Sequence, residues 1–293
     1  MSQYLLLLLF TISFAQISDY SYLGSEATAK SGAVVSDQGN NWSIFHNPAA
    51  LTEINNVNFS AGNTKLYNYD FLSNYHFSIY LPLPLLGKVG IGVQQLETNY
   101  NKTKLSTEQT ISFAKAIILQ KDNNSNLSIG YTTNFITWDM GKSAGLSGDG
   151  TDGYNLGSIN TITVDFGILG SLREKYRFGL LVKNITSAAI GTGLSRQILT
   201  QRINTGITYN PISMLSTTIV SEHILGYDYL QIKAGLSYEL NQNIKIFIGA
   251  QSNPNRFGFG IKLISLNLQS ISYSILSHPI LPITHQIDIG ISL

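Results

Sequence analysis

The side chains able to do chemistry are few and scattered. Five histidines (His46, His76, His223, His278, His285) contain no His-x-x-x-His pair, and no acid stands beside them in a zinc-binding pattern. The serines are read as offering no nucleophile elbow, and the glycines no loop that cradles a phosphate. With no cysteine in the chain, disulfides, thiolate zinc sites, Fe–S clusters and thiol catalysis are excluded. The segment Gly141 to Asn155 places Asp149 and Asp152 among glycines whose carbonyls suit Ca²⁺, but the spacing departs from the EF-hand pattern, so it reads as an exposed loop. The expectation is a protein that is not an enzyme and uses no cofactor or metal.

Charge narrows the partners. Lys plus Arg number 18 against 17 Asp plus Glu, a net +1, so no basic field exists to hold a nucleic-acid backbone. Charged residues are 12% of the chain, where an ordinary soluble domain carries about 25%, while Gly (26), Tyr (16) and Phe (13) are plentiful. Such a chain is short of charge to keep it in water.

The elements that must position these residues have period two. Leu127, Ile129, Tyr131, Thr133 and Phe135 alternate with Ser128, Gly130, Thr132 and Asn134, a strand pattern that fits no helix face. Clear copies occur at 75–81, 89–93, 162–168, 176–182, 203–209, 232–240, 244–250, 257–263 and 287–293. Weaker ones occur at 57–61, 111–117, 214–223 and 266–275, the last changing phase at Gln269-Ser270 as a β-bulge would. Fourteen strands in residues 55–293 have about 17 positions each, enough for the ~10 residues of a tilted membrane strand and a turn. No stretch after the N-terminus reaches the 18 apolar residues of a spanning helix, so a membrane reading requires strands.

Glycine and charge choose the faces. Gly90, Gly92, Gly130, Gly167, Gly179, Gly206, Gly235, Gly249, Gly258, Gly260 and Gly290 all fall in the polar register, leaving space inside a closed barrel for something else to fill. Asp165, Arg177, Lys233, Glu239, Lys245, Lys262 and Asp288 stand between apolar neighbours and therefore face inward; Lys88, Lys183, Arg202 and Arg256 join them. Lys115 breaks the rule by sharing a face with Ile111, Phe113 and Ile117. It either snorkels to an interface or marks a wrong register. Trp138, Tyr67, Tyr69, Tyr100 and Tyr154, in or beside connections, suit an aromatic belt. Pro82 and Pro84 remove ladder donors after the second strand, either ending it or marking a wall defect through which a solute leaves sideways.

The N-terminal residues differ in kind. The apolar block Leu5 to Phe14 followed by Ser13-Phe14-Ala15 reads as a secretory signal peptide (residues 1–15) cut near Ala15, although the n-region has no Lys or Arg. Residues 16–54 lack alternation and carry Asp19, Glu26, Asp37 and Glu53 against Lys30, whereas the inward set is mainly basic. They are expected to fold inside the barrel (55–293) as a hatch whose carboxylates pair with lumen cations.

The run Gly24 to Leu51, with Ala27, Gly32-Ala33, Asp37 and then Asn47-Pro48-Ala49-Ala50-Leu51, resembles the N-terminal signature of FadL-like outer-membrane proteins, especially their PorV/PorQ-type branch. The resemblance extends to Val182-Lys183-Asn184 and to a last strand opening on Thr284-His285. It implies an all-β transmembrane barrel of fourteen antiparallel strands in the bacterial outer membrane, in contact with its lipid, with Asn47, Pro48 and Ala49 in the hatch. The chain departs from such barrels in ending on Leu293 rather than an aromatic residue. Two functions follow from the resemblance. One is passage of a hydrophobic or amphipathic solute, with the lumen cations favouring an acidic head. The other is a component of a type IX secretion system that docks or shuttles secreted proteins, which needs large exterior loops. Short loops favour solute passage.

Overall fold

A computed structural model describes residues 22–83, 87–100, 103–143, 145–148, 152–191, 196–226, 228, 230–265 and 269–293. The signal-peptide reading and Asp19 therefore lie outside the described residues, as does Pro84. Each period-two segment forms a strand, because alternating bulk gives every segment one greasy face and one small or polar face. In chain order they are β1 (Asn58–Lys65), β2 (Leu72–Leu83), β3 (Gly87–Tyr100), β4 (Thr103–Lys121), β5 (Ser125–Asp139), β6 (Ser158–Leu172) and β7 (Tyr176–Lys183). A two-stranded ribbon, β8 (Ala189–Ile190) and β9 (Gln197–Ile198), follows. Then come β10 (Arg202–Ile212), β11 (Leu215–Ile224), β12 (Leu230–Asn241), β13 (Ile244–Gln251), β14 (Arg256–Ile264), β15 (Gln269–Leu276) and β16 (Thr284–Ser292).

All but the ribbon pair with their neighbours into one closed antiparallel barrel of fourteen strands, sealed where β1 meets β16 from Asn58↔Ser292 to Lys65↔His285. Closure leaves no sheet edge with unsatisfied backbone groups, which a lipid environment demands. The even count brings both ends of the barrel to one rim, where the strands are joined by short turns. The longer connections, 140–157 and 184–201, lie at the opposite rim.

The two faces separate as the pattern requires. Ile289 is 54% exposed beside Asp288 at 4%. Phe113, Phe135, Ile162, Ile219, Ile248 and Phe259 are likewise exposed on the outside. Lys115 stays in the outward register between buried Ala114 and Ala116, so its strand is correctly phased and the lysine faces outward. Tyr176 and Tyr209 stack 5.1 Å apart near the short-turn rim, and Tyr67, Tyr69 and Phe71 form a second aromatic group at the other.

One expectation is corrected, and one pair of alternatives is decided. β15 begins at Gln269 and pairs with β16 without a register shift, so the phase change there marks the start of a strand and not a bulge. Register shifts occur instead at Thr98/Asn99, Ile118/Gln120, Tyr209/Ile212 and Glu239/Asn241. Pro82 pairs with Lys88 but lies beyond the last β1–β2 pair, Asn58↔Tyr80, so its missing N–H falls at the rim and opens no gap in the middle of the wall.

Residues 22–57 precede the barrel and contain two short helices, α1 (Ser25–Ala29) and α2 (Ser43–His46), and a 3₁₀ turn over Pro48–Glu53. They supply much of the apolar core: Leu23, Trp42, Ile44, Phe45, Leu51 and Ile54 cluster with Tyr80, Ala114 and Ala116 of the wall. The inward glycines are where they approach closest. A Cβ at Gly249 or Gly235 would lie within 3.0 Å of Lys30, at Gly258 or Gly260 of Ala29, and at Gly179 or Gly206 of Val35. At Gly130 and Gly167 it would meet Pro48 and its neighbours, and at Gly90 and Gly92 Ile44 and Phe45. The missing side chains are replaced by this segment.

Candidate functional site

Asn47 shows how the segment is fastened. Proline at position 48 excludes the helical conformation for the residue before it, and Asn47 is extended (φ −164°, ψ 101°) between α2 and the 3₁₀ turn. Its Oδ1 accepts from Ala49 N at 3.1 Å, and its Nδ2 donates to Val35 O at 2.7 Å and to Ile168 O of β6 at 3.0 Å. One buried amide thus ties turn, segment and wall together, with Pro48 and Ala49 buried beside it. Arg177 of β7 receives Glu53 through Nη1 at 2.6 and 2.7 Å. Asp288 of β16 accepts from Ser25 N, and from His76 Nε2 and Gln286 Nε2 at 3.1 Å each, while the His76 ring lies edge-on to Trp42 at 4.8 Å.

The other lumen charges do not form one constellation. Arg202 and Lys233 both pair with Glu222 of β11, at 2.7 and 2.6 Å. Lys233 also lies 4.9 Å over the ring of Tyr22, whose hydroxyl donates to Gln251. Asp37, expected to meet a lumen cation, pairs with Lys30 of its own segment and accepts from Thr218 at 2.6 Å. Asp165 accepts from Asn134 Nδ2 and Asn184 N at 2.9 and 2.8 Å. Glu239 and Lys245 pair with each other at 2.6 Å, and Lys262 stands apart on β14.

Four of the eleven charges predicted to face inward, Asp165, Lys183, Arg202 and Lys233, line one cavity of about 180 Å³. Leu23, Val35 and Phe45 of the N-terminal segment form an apolar side, and Leu181, Ile198 and Leu199 continue it. The connection 184–201 shapes this wall because Asn184, in the left-handed region (φ 53°), donates from Nδ2 to Leu199 O and accepts from Ala188 N. With Glu222 satisfying Arg202 and Lys233, Lys183 is the lining cation with no hydrogen bond or ion pair among the described residues. His46, also on the lining, donates from Nε2 to Leu23 O at 2.6 Å. Burial lowers its pKa to about 4 and keeps the ring neutral. The cavity is amphipathic, with one greasy side and one charged side on which Asp165 and Glu222 stand among Lys183, Arg202 and Lys233.

Glu222, His46 and His76 escaped the sequence reading. β11 carries apolar residues on both faces, because Val220 turns inward to pack on Ala33, Val35 and Leu181, and this masks the polar register that holds Glu222. His76 does occupy the polar register of β2, but a single histidine carries no spacing signal.

Enzymatic chemistry gains nothing from the fold. Gly141-Lys142-Ser143-Ala144-Gly145 does spell Gly-x-Ser-x-Gly, a correction to the sequence reading. It lies in the connection after β5 rather than between a strand and a helix, and Ser143 Oγ accepts from Tyr154 N, so it is no nucleophile elbow. Asp152 is occupied by the N–H groups of Leu146 and Ser147 and the Ser147 hydroxyl, which hold its carboxyl below the usual range. Asp149 lies outside the described residues.

The fold defines a class, a closed fourteen-stranded antiparallel barrel with its N-terminal segment packed against the inner wall. No family model and no curated protein matches the sequence. Among solved structures, the Pseudomonas putida toluene transporter TodX superposes with a TM-score of 0.63 at 12% identity, over 94% of this chain and 99% of that one. The CymD monoaromatic hydrocarbon channel gives 0.63 at 8% identity, over 92% and 97%. A Pseudomonas aeruginosa FadL homologue gives 0.52 at 9%, over 91% and 97%. At such identities the common property is the fold. A PorV/PorQ-type, secretion-related role draws no support from these neighbours.

Proposed function

We propose that this chain is a bacterial outer-membrane barrel that passes a hydrophobic or amphipathic solute, its apolar belt held in outer-membrane lipid. The observation that carries the reading is the amphipathic cavity, set inside a closed barrel between the N-terminal segment and the connection 184–201. Residues 1–15 act as a signal peptide, and residues 16–54, of which 22–54 are described, act as a hatch over the lumen. The solute's tail lies along Val35, Phe45 and Ile198, and an acidic head meets Lys183, since a partly buried ammonium without a counter-ion favours a carboxylate strongly. The neighbours named as hydrocarbon and toluene transporters support the apolar half of this substrate class.

Proteoliposomes carrying the barrel should take up labelled octanoate saturably, and Lys183→Met should weaken that uptake about 10-fold, the loss of one charge-assisted contact. Octanol uptake should change little. Uptake no faster than in empty liposomes would sink the proposal.

A further inference from the structure

A second cavity, of about 280 Å³, lies near the short-turn rim between the N-terminal segment and strands β14, β15, β16 and β1. It exists because the segment stays clear of Gly290, although Asn41 Nδ2 donates to Ser60 Oγ at 2.5 Å on the same lining. At Gly290 the nearest atoms to an added Cβ belong to Ser270, Ser60 and Phe59 of the wall, whereas at ten other inward glycines they include atoms of residues 29–51. The gap is lined on the wall by Ser60, Ser270, Ser272 and Gly290, and on the segment side by Glu26, Asn41, Trp42 and Ile54.

Lys262 lines it too, and among the described residues its ammonium has no hydrogen bond or ion pair. Its direct cross-strand neighbour is Lys245, so two cations stand opposite each other, an arrangement that costs energy without an anion nearby. Lys245 is answered by Glu239 at 2.6 Å. Asp288, also on the lining, has both carboxylate oxygens occupied by Ser25, His76 and Gln286. Glu26 of α1, on the same lining, is the remaining charge, and it forms no ion pair within 4 Å of either lysine. The donors left over are the Lys262 ammonium and the Ser270 and Ser272 hydroxyls, beside an indole and an isoleucine.

We infer that this cavity is a second solute site, on the far side of the N-terminal segment from the first, which holds the carboxylate of an amphipathic acid on Lys262 with its tail against Trp42 and Ile54. The inference rests on the solute-passage reading and deepens it: the same class of molecule meets one unpaired lysine on each side of the segment, Lys183 and then Lys262. Glu26 competes with the ligand for the ammonium, which keeps the site weak enough to release.

The test is calorimetric titration of octanoate into the full chain in a non-ionic detergent, with empty micelles as the blank and barrel integrity checked by heat-modifiable gel migration. Wild type should bind two octanoates. Lys262→Met should weaken one of them about 10-fold or more, Gly290→Phe should abolish the same one by filling the gap, and Glu26→Gln should tighten it several-fold. Lys183→Met should affect only the other. One octanoate per barrel, sensitive to Lys183→Met alone, overturns the second site and leaves the transport reading standing. Two octanoates indifferent to Lys262→Met do the same, and no binding at all overturns both.

Discussion

Replacing Glu222 with leucine probes the most heavily charged part of the lumen. Its carboxylate sits between Arg202 Nη1 at 2.7 Å and Lys233 Nζ at 2.6 Å, and the three side chains are 8%, 6% and 2% exposed. Leucine has similar bulk but removes the carboxylate that two buried cations share. Removing one partner of a buried pair costs about 3–5 kcal/mol, because the surviving charge stays desolvated. Tyr22 retains its contact with Lys233, and Arg202 lies beside the cavity where water can reach it, so we take the lower end, about 3 kcal/mol. Equilibrium urea unfolding in micelles, followed by tryptophan fluorescence and gel mobility, measures it. The triple variant Glu222→Leu/Arg202→Met/Lys233→Met, uncharged and of similar volume, should recover most of the loss, since apolar replacement of buried ion clusters is often neutral or stabilising. A single variant within about 1 kcal/mol of wild type, or a triple variant as unstable as the single one, would refute the claim that Glu222 holds these cations in place.

Other consequences are directly measurable. Asn47→Ala deletes hydrogen bonds to Ala49, Val35 and Ile168 at about 1 kcal/mol net each, so limited proteolysis should cut within residues 22–54 sooner while the barrel still migrates as folded. Gly258→Leu places a side chain where Ala29 and Thr28 lie; it should displace the segment and raise single-channel conductance in planar bilayers, and unchanged conductance would count against the segment obstructing the lumen. His46 has a folded pKa of about 4 against 6.5 for the free ring. The unfolded state therefore binds the extra proton first, and seating of the segment should be fully stable above about pH 6.5 and weaken as pH falls toward 4, by at most about 3 kcal/mol. His46→Gln should flatten that profile in protease-protection assays between pH 4 and 7.

The barrel was legible in the chain because its cause is local. A strand with lipid on one side and a lumen on the other must alternate, so Leu127 to Phe135 reveals its face without reference to any other residue, and fourteen such runs leave closure as the way to satisfy every backbone group. Glycines in the polar register announced that something fills the bore, since Gly130, Gly167 and Gly249 omit a side chain where Pro48, Asn47 and Lys30 now lie. Which charge meets which was not legible. Glu222 lies 20 residues from Arg202 and 11 from Lys233, and they meet only because strand register places β10, β11 and β12 side by side. Asp37, a residue of the segment expected to meet a lumen cation, instead pairs with Lys30, a partner brought within reach by the turn between them. Likewise, only the closed barrel decides that the segment touches the wall at Gly258 and leaves it at Gly290. Periodicity is a property of consecutive residues and survives in the sequence; pairing across a lumen depends on the stagger of strands far apart in the chain, and that exists only once the cylinder has closed.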